Sequence, residues 1–464
     1  MGLFLAWPTI KSSSFMPETT MPKGKRRSLR LSTKLVTLGG CMYMVYASCI
    51  GSAVIIDFFR HIGANDFHIA LVGGVPMMML SMFFVAALIT NRMPRRKPAF
   101  IVGFIAARLL YIPVAFLPMI FPGASADWLM GAIILMIAAS CALSNFGETL
   151  FLSWMADLIP HRILNRFWGT RGRWISATNV ACYLAIAAFV HAVAWPITVK
   201  FPVLVCIGVV VGIMDILLFF RVDEPTHAIV INRHPVNLLL EPIRHHEYRS
   251  FLVFLSIWRA STVIVGVFAV YYLLKVLQLP LANVLIIMSL QLIGPIMTGR
   301  MWGRLADRHG HRPVLMVCVA LKPIFPLAFL LITTGTVYWI LSAALLIDGI
   351  LNAGLGVAEN GFSIKMAPRE NRSMFFAAVR GMTGVCAGLA TIAIGAYVKH
   401  LGDWTIILAG RTWNKYQWVF ALSIVLRLNC LLLVRTIREP TSSPPGHLLR
   451  DLWQVRPGRP LPLR

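Results

Sequence analysis

Apolar runs of about twenty residues recur along nearly the whole chain, and they constrain it more than any motif does. A helix needs about 20 apolar residues to cross ~30 Å of hydrocarbon, where backbone N–H and C=O groups must be satisfied within the segment itself. Twelve such runs can be drawn, with edges good to a few residues: 34–58, 67–90, 98–120, 128–154, 172–195, 201–220, 250–275, 281–301, 313–334, 337–362, 373–398 and 415–436. Only 13% of the residues are charged and 58% are hydrophobic, against about 25% charged in soluble domains. The sequence therefore predicts an all-α integral membrane protein, one polytopic bundle of twelve transmembrane helices. Its eight cysteines stand singly within apolar runs, without metal-ligand spacing, and read as small apolar side chains.

An even count of spans puts both ends of the chain on one side, and basic residues say which. The leader, the connections that follow even-numbered spans and the tail carry 33 Lys and Arg, the five opposite connections carry 6, and 4 lie within spans. Both termini are expected in the cytoplasm, and the membrane is expected to be the plasma membrane, the inner one in a bacterium. Topology thus accounts for most of the net charge of +25 without a nucleic-acid partner. MGLFLAWPTI lacks a basic leading region, and KGKRRSLR precedes the first span, so residues 1–33 read as a cytoplasmic leader with Met16 and Met21 as alternative starts.

Internal matches divide the chain in two. FWGTRG (Phe167 to Gly172) aligns with FAAVRG (Phe376 to Gly381) at a shift of 209, and NRMPRRKP aligns with GRLADRHGHRP at their last prolines, Pro98 and Pro313, at a shift of 215. The expected domains are six-helix bundles at 34–220 and 250–436, a central linker at 221–249 and a tail at 437–464. Within the linker, VNLLLEPIRHHEYRS reads equally as an amphipathic surface helix or a solvated connection, and His227, His234, His245 and His246 lack ligand spacing.

GRLADRHGHRP, Gly303 to Pro313, resembles the loop signature of the major facilitator superfamily, and the duplicated twelve-span, basic-inside layout is similar to that superfamily too. The resemblance implies two pseudo-symmetric bundles whose central cavity is lined mainly by spans 1, 4, 7 and 10. It also implies that the loop's acid packs against a helix end in the opposite half. Here Asp307 would face the start of span 5 near Arg171 and Arg173 and latch the cytoplasmic side, with Gly303, Arg304, Arg308 and Gly310 shaping the turn. On the residues alone, a turn cap with a topological role is the alternative. The first-half loop carries Arg92 where the acid would stand, so one latch is expected rather than two.

Ionisable groups at bilayer depth cost roughly 2.5 to 3.5 kcal/mol on insertion scales, so each needs a partner or a wet cavity. Arg259 in span 7 and Asp348 in span 10 fall near mid-membrane. They are expected to pair as a substrate or coupling site, with a buried structural ion pair as the competing reading. Asn352 and Asn145 are further polar candidates. Glu148 and Glu359 hold matching places before basic loops and are expected to serve the cytoplasmic gate, Glu148 with Arg92 or Arg95 and Glu359 with Arg300 or Arg304; Arg171 and its counterpart Arg380 belong to the same gate. Arg108, Asp215, Lys322 and Arg427 lie on spans that the resemblance places at the periphery, where snorkelling or helix pairing is expected.

The expected function is secondary active transport of a small solute by alternating access. No GxxxxGK[ST] loop argues for ATP, and no nucleophile-and-base set or metal cluster argues for an enzyme or a cofactor. Embedded carboxylates make proton coupling plausible, with uniport open, and Arg259 points to an anionic solute. The alternative is a non-transporting sensor or scaffold of the same fold. The protein is expected to be a monomer.

Overall fold

The computed structural model describes residues 23–90, 93–225, 235–366, 372–408, 411–437, 439 and 442–454. Among the described residues, twelve helices are long and apolar enough to cross a membrane: Arg27–His61, Asp66–Thr90, Lys97–Ile120, Ala126–Leu158, Arg166–Ala192, Ile197–Arg221, His246–Lys275, Leu281–His309, His311–Leu331, Val337–Met366, Met374–His400 and Lys415–Thr436. They are called spans 1 to 12. The face where span 1 begins and span 12 ends is the basic face, and the other is the opposite face.

Charge misleads about where helices stop. The stretch from 299 to 312 reads as a connection, yet span 8 runs on to His309 and span 9 starts at His311. After Gly303, the stretch RLADRH contains good helix formers and no Gly or Pro before Gly310. That glycine turns the chain with φ of +91°, and a Cβ there would meet the Ser442 Cβ at 2.9 Å and the Glu439 carboxylate at 3.0 Å, so no other residue fits without strain.

A third internal match becomes visible in three dimensions. Glu-Pro-Thr follows span 6 at 224–226 and span 12 at 439–441, again 215 residues apart. Glu224 Oε1 accepts the N–H groups of Arg96 and of Lys97, the latter at 2.9 Å, and Glu439 Oε2 accepts that of Arg312 at 2.8 Å. Each carboxylate thus sits at the start of a helix, span 3 or span 9, where unpaired N–H groups and the helix dipole favour an anion.

The halves meet along two seams. Span 2 packs on span 11, where Gly74 and Gly388 each bring their helix against the other's backbone or side chains. Span 5 packs on span 8, with Ile186 and Ala187 sharing a buried cluster with Leu281 and Leu285 near the opposite face. On that face, the connection after span 11 is a hairpin, β1 (Thr405–Leu408) paired antiparallel with β2 (Arg411–Asn414) in the register Thr405 to Asn414. Short helices Pro235–Arg244 and Pro445–Gln454 lie in the linker and the tail.

Candidate functional site

A charged cavity of about 290 Å³ lies inside the second half, between spans 7, 8, 9, 10 and 12. Proline helps to build it. Pro323 and Pro326 divide span 9 into His311–Leu321 and Ile324–Leu331, because proline has no N–H to continue the ladder. Pro326 stands where the donor to the Lys322 carbonyl would be. That carbonyl instead accepts from Arg427 Nη1 at 2.8 Å, which draws span 12 against the break.

The Lys322 side chain turns inward and bonds Asp348, Nζ to Oδ1 at 2.6 Å, with both side chains under a tenth exposed. Gln291 Nε2 and Asn352 Nδ2 donate to the other carboxylate oxygen, at 2.6 and 3.0 Å. Asp348 is therefore fully engaged by a lysine and two amides. At the rim, Arg259 Nη2 meets Glu359 Oε2 at 2.5 Å, the arginine about half exposed. Arg427 lies within 5.9 Å of the Trp258 ring centroid. Apolar walls from Val270, Phe325, Phe329, Leu341 and Leu345 complete the lining.

Several expected partnerships are not the ones formed. Arg259 and Asp348 line one cavity but bond to Glu359 and Lys322 respectively. Glu359 accordingly faces the cavity rather than Arg300 or Arg304, since about two helical turns separate it from the end of span 10 at Met366. Asn352 belongs to the cavity, whereas the half-buried Asn145 does not line it. Lys322 and Arg427 are buried cavity groups, not snorkelling ones. Arg108 and Asp215 form a buried pair at 2.7 Å between spans 3 and 6.

The expected latch takes another form. Asp307 is exposed and makes no ion pair among the described residues. Arg171 instead lies over the rings of Phe151 and Trp168 in its own half, at 5.3 and 5.2 Å. Arg308 Nη1 and His309 Nε2 both reach Asp451 of the tail at 2.9 Å, Ser443 N–H donates to the His309 carbonyl, and Lys365 Nζ meets Glu439 at 2.9 Å. The signature segment is thus gripped by the tail of its own half. Gly303 and Arg304 lie on the last turns of span 8, with Arg304 Nε donating to the Arg300 carbonyl at 3.4 Å. Glu148 pairs with Arg380 across the halves at 3.9 Å, both about half exposed, rather than with Arg95; Arg92 lies outside the described residues.

Burial alone would raise the Glu439 carboxyl, but the backbone N–H of Arg312, the Lys365 ammonium and the backbone N–H of His311 outweigh it and hold the group below its ordinary value of 4.5.

The opposite face carries a tight bridge that the sequence does not announce. Asp66, at the start of span 2, accepts from Lys415 Nζ at 2.5 Å and Tyr416 OH at 2.6 Å, with Lys275 Nζ at 3.6 Å. Arg60 Nη1 donates to the Leu274 carbonyl. Every one of these contacts crosses between halves. The charge count assigns the two lysines to topology alone, and nothing in one sequence says which acid they meet.

Residues 251–457 match the family model of the Major Facilitator Superfamily. A stretch of 167 residues is 28% identical to the class E tetracycline resistance protein of Escherichia coli, covering 34% of this chain; the chain spans 39% of the length of that curated relative. Among solved structures, a mutant of the nucleoside transporter NupG superposes with a TM-score of 0.66 at 12% identity, over 88% of this chain and 100% of that one. The D-xylose-proton symporter does so with 0.63 at 13%, over 89% and 98%. The chain shares the fold of these transporters through both halves, and residues 251–457 resemble the Major Facilitator Superfamily in sequence as well.

Proposed function

We propose that the protein is a secondary transporter that moves a small solute by alternating access, with its solute site in the second-half cavity. The observation that carries this reading is the unequal closure of the two faces. On the opposite face a buried carboxylate is held by two direct hydrogen bonds from the other half. On the basic face the only ion pair between halves among the described residues is the half-exposed Glu148 and Arg380 at 3.9 Å. A bundle of two halves sealed on one side around a charged mid-depth cavity is what rocking about a fixed site requires.

In this reading Arg259 and Glu359 guard the cavity mouth, Asn352 and Gln291 orient the solute, Asp348 sets the charge of its site, and Asp66 with Lys415 and Tyr416 forms the gate. Asp307 engages the first half only when the basic face closes. Asp348 is the carboxylate through which a proton could be coupled, because loss of its charge would release Lys322. The basic face is the cytoplasmic one, the membrane is the plasma membrane, the domains divide at the 221–249 linker, and the working unit is a monomer that carries out no covalent chemistry.

Uptake by the purified chain in proteoliposomes, across a panel of small solutes with and without a pH gradient, tests this. Solute accumulation that Glu359→Gln and Asn352→Ala weaken is expected. Intact, correctly inserted protein that moves nothing in a broad panel would overturn it in favour of a sensor or scaffold.

A further inference from the structure

The two halves can be compared span for span, and their buried charges differ. Arg108 and Lys322 stand 214 residues apart on spans 3 and 9, and Asp215 and Arg427 stand 212 apart on spans 6 and 12, close to the shift of the Glu-Pro-Thr caps. In the first half these two positions carry opposite charges. Arg108 and Asp215 close on each other at 2.7 Å with side chains 2% and 3% exposed, a self-balanced pair.

In the second half both positions carry cations. Asp348 from span 10 balances Lys322, while Arg427 spends Nη1 on the Lys322 carbonyl and buries Nε with no acceptor among the described residues. At the rim, Arg259 and Glu359 balance each other. One positive charge is therefore left over in the wall of a cavity, and a buried unbalanced charge is costly to keep.

The chemistry around it narrows what would settle that charge. A guanidinium presents a planar fork that matches a carboxylate, and a single surplus charge is neutralised by a single carboxylate. The remaining wall is apolar, from Val270, Phe325, Phe329, Leu341 and Leu345. We propose that the second-half cavity takes an organic monocarboxylate, its carboxylate on Arg427 beside Lys322 and its apolar body against spans 9 and 10. This rests on reading the cavity as the transport site.

Binding to the purified full chain in detergent, followed by thermal unfolding, uses benzoate as the probe, with benzamide as its neutral counterpart and inorganic phosphate as an anion without an apolar body. Benzoate is expected to raise the melting temperature in the millimolar range while benzamide and phosphate do not, and Arg427→Gln to weaken benzoate by about ten-fold or more. Asp348→Asn, which raises the surplus by one charge, is expected to tighten benzoate binding, an effect that damage to the fold would not produce and that holds even if Arg427→Gln fails to fold. Equal shifts from benzamide, or benzoate affinity unchanged or weaker in Asp348→Asn, would overturn the proposal. Gly266, exposed in the cavity lining with open space around its Cβ position, separates the two readings in a parallel uptake experiment. Uptake of neutral solutes alone, blocked by Gly266→Trp, would sink the carboxylate and leave transport standing; benzoate binding with no uptake of any solute would do the reverse.

Discussion

Replacing Asp66 with asparagine should unlock the opposite face. The carboxylate lies on the first half, and its partners Lys415, Tyr416 and Lys275 all lie on the second. Asparagine keeps one acceptor but removes the charge, which leaves the Lys415 ammonium, with a side chain 9% exposed, without a counterion in the closed state. Breaking a buried pair by removing one partner costs about 3 to 5 kcal/mol. Lys275 is 45% exposed, so its share is discounted for screening. The penalty fades once the face opens and water reaches the lysine, so it acts almost wholly on the balance between states. Taking ~3 kcal/mol, the closed-to-open ratio should fall by roughly 10²-fold, at 1.4 kcal/mol per factor of ten. Hydrogen exchange of amides in the first turns of spans 2 and 12 reads that ratio directly. Lys415→Met and the double variant complete a cycle, in which adding Lys415→Met to Asp66→Asn should recover part of the loss rather than add to it. Strictly additive effects, or unchanged exchange at these turns, would refute the claim that this bridge closes the face.

Glu439→Gln should loosen the tail from span 9, costing about 1 to 3 kcal/mol for the lost charge-assisted bonds, seen as faster proteolysis after residue 437. Because the folded group sits below its ordinary value of 4.5, that contribution is fully present above the ordinary value and is lost as pH falls through the lower, folded one; the wild-type tail should therefore release only under acid stronger than pH 4.5, and Glu439→Gln should remove that pH dependence. Gly310→Ala should cost about 1 kcal/mol or more through its positive φ and the crowding against Ser442, read as a lower melting temperature. Asp215→Asn should destabilise the first half by about 3 to 5 kcal/mol, because it strands a buried Arg108, and adding Arg108→Met should recover much of the loss.

Hydropathy makes the number of spans legible because a membrane crossing is a property of one segment, decided by length and apolarity. Which charges meet is a property of two segments and of helix rotation, and there the sequence misleads. Depth alone matches Arg259 with Asp348, yet their partners are set by neighbouring turns, Glu359 and Lys322. The order of spans sends Lys322 and Arg427 to the periphery, whereas the proline break in span 9 turns them inward. A signal is present: the repeat that aligns Pro98 with Pro313 also aligns Arg108 with Lys322 to within one residue, and a charge duplicated at that depth has a structural role in both halves. The Glu-Pro-Thr pairs carry the same information, but each on its own looks like an ordinary helix stop.

The signature segment shows how a motif can be recognised and its mechanics still misplaced. Its glycine is a hinge in sequence but a clamp point in space, since Glu439, Ser442 and Asp451 all converge on Arg308 to Arg312 from the tail of the same half. A segment fixed at several points to its own bundle moves with that bundle as a rigid body. Asp307 is the segment's one acid, exposed and without an ion pair among the described residues, and it projects from the end of a helix that belongs to the span 5 and span 8 seam. The tail therefore fixes the position from which Asp307 would reach the first half, and releasing the tail should blur that position without removing the acid. Glu439→Gln and Asp307→Asn should accordingly slow transport by the same step and act less than additively together, whereas either combined with Asp66→Asn, at the far face, should add.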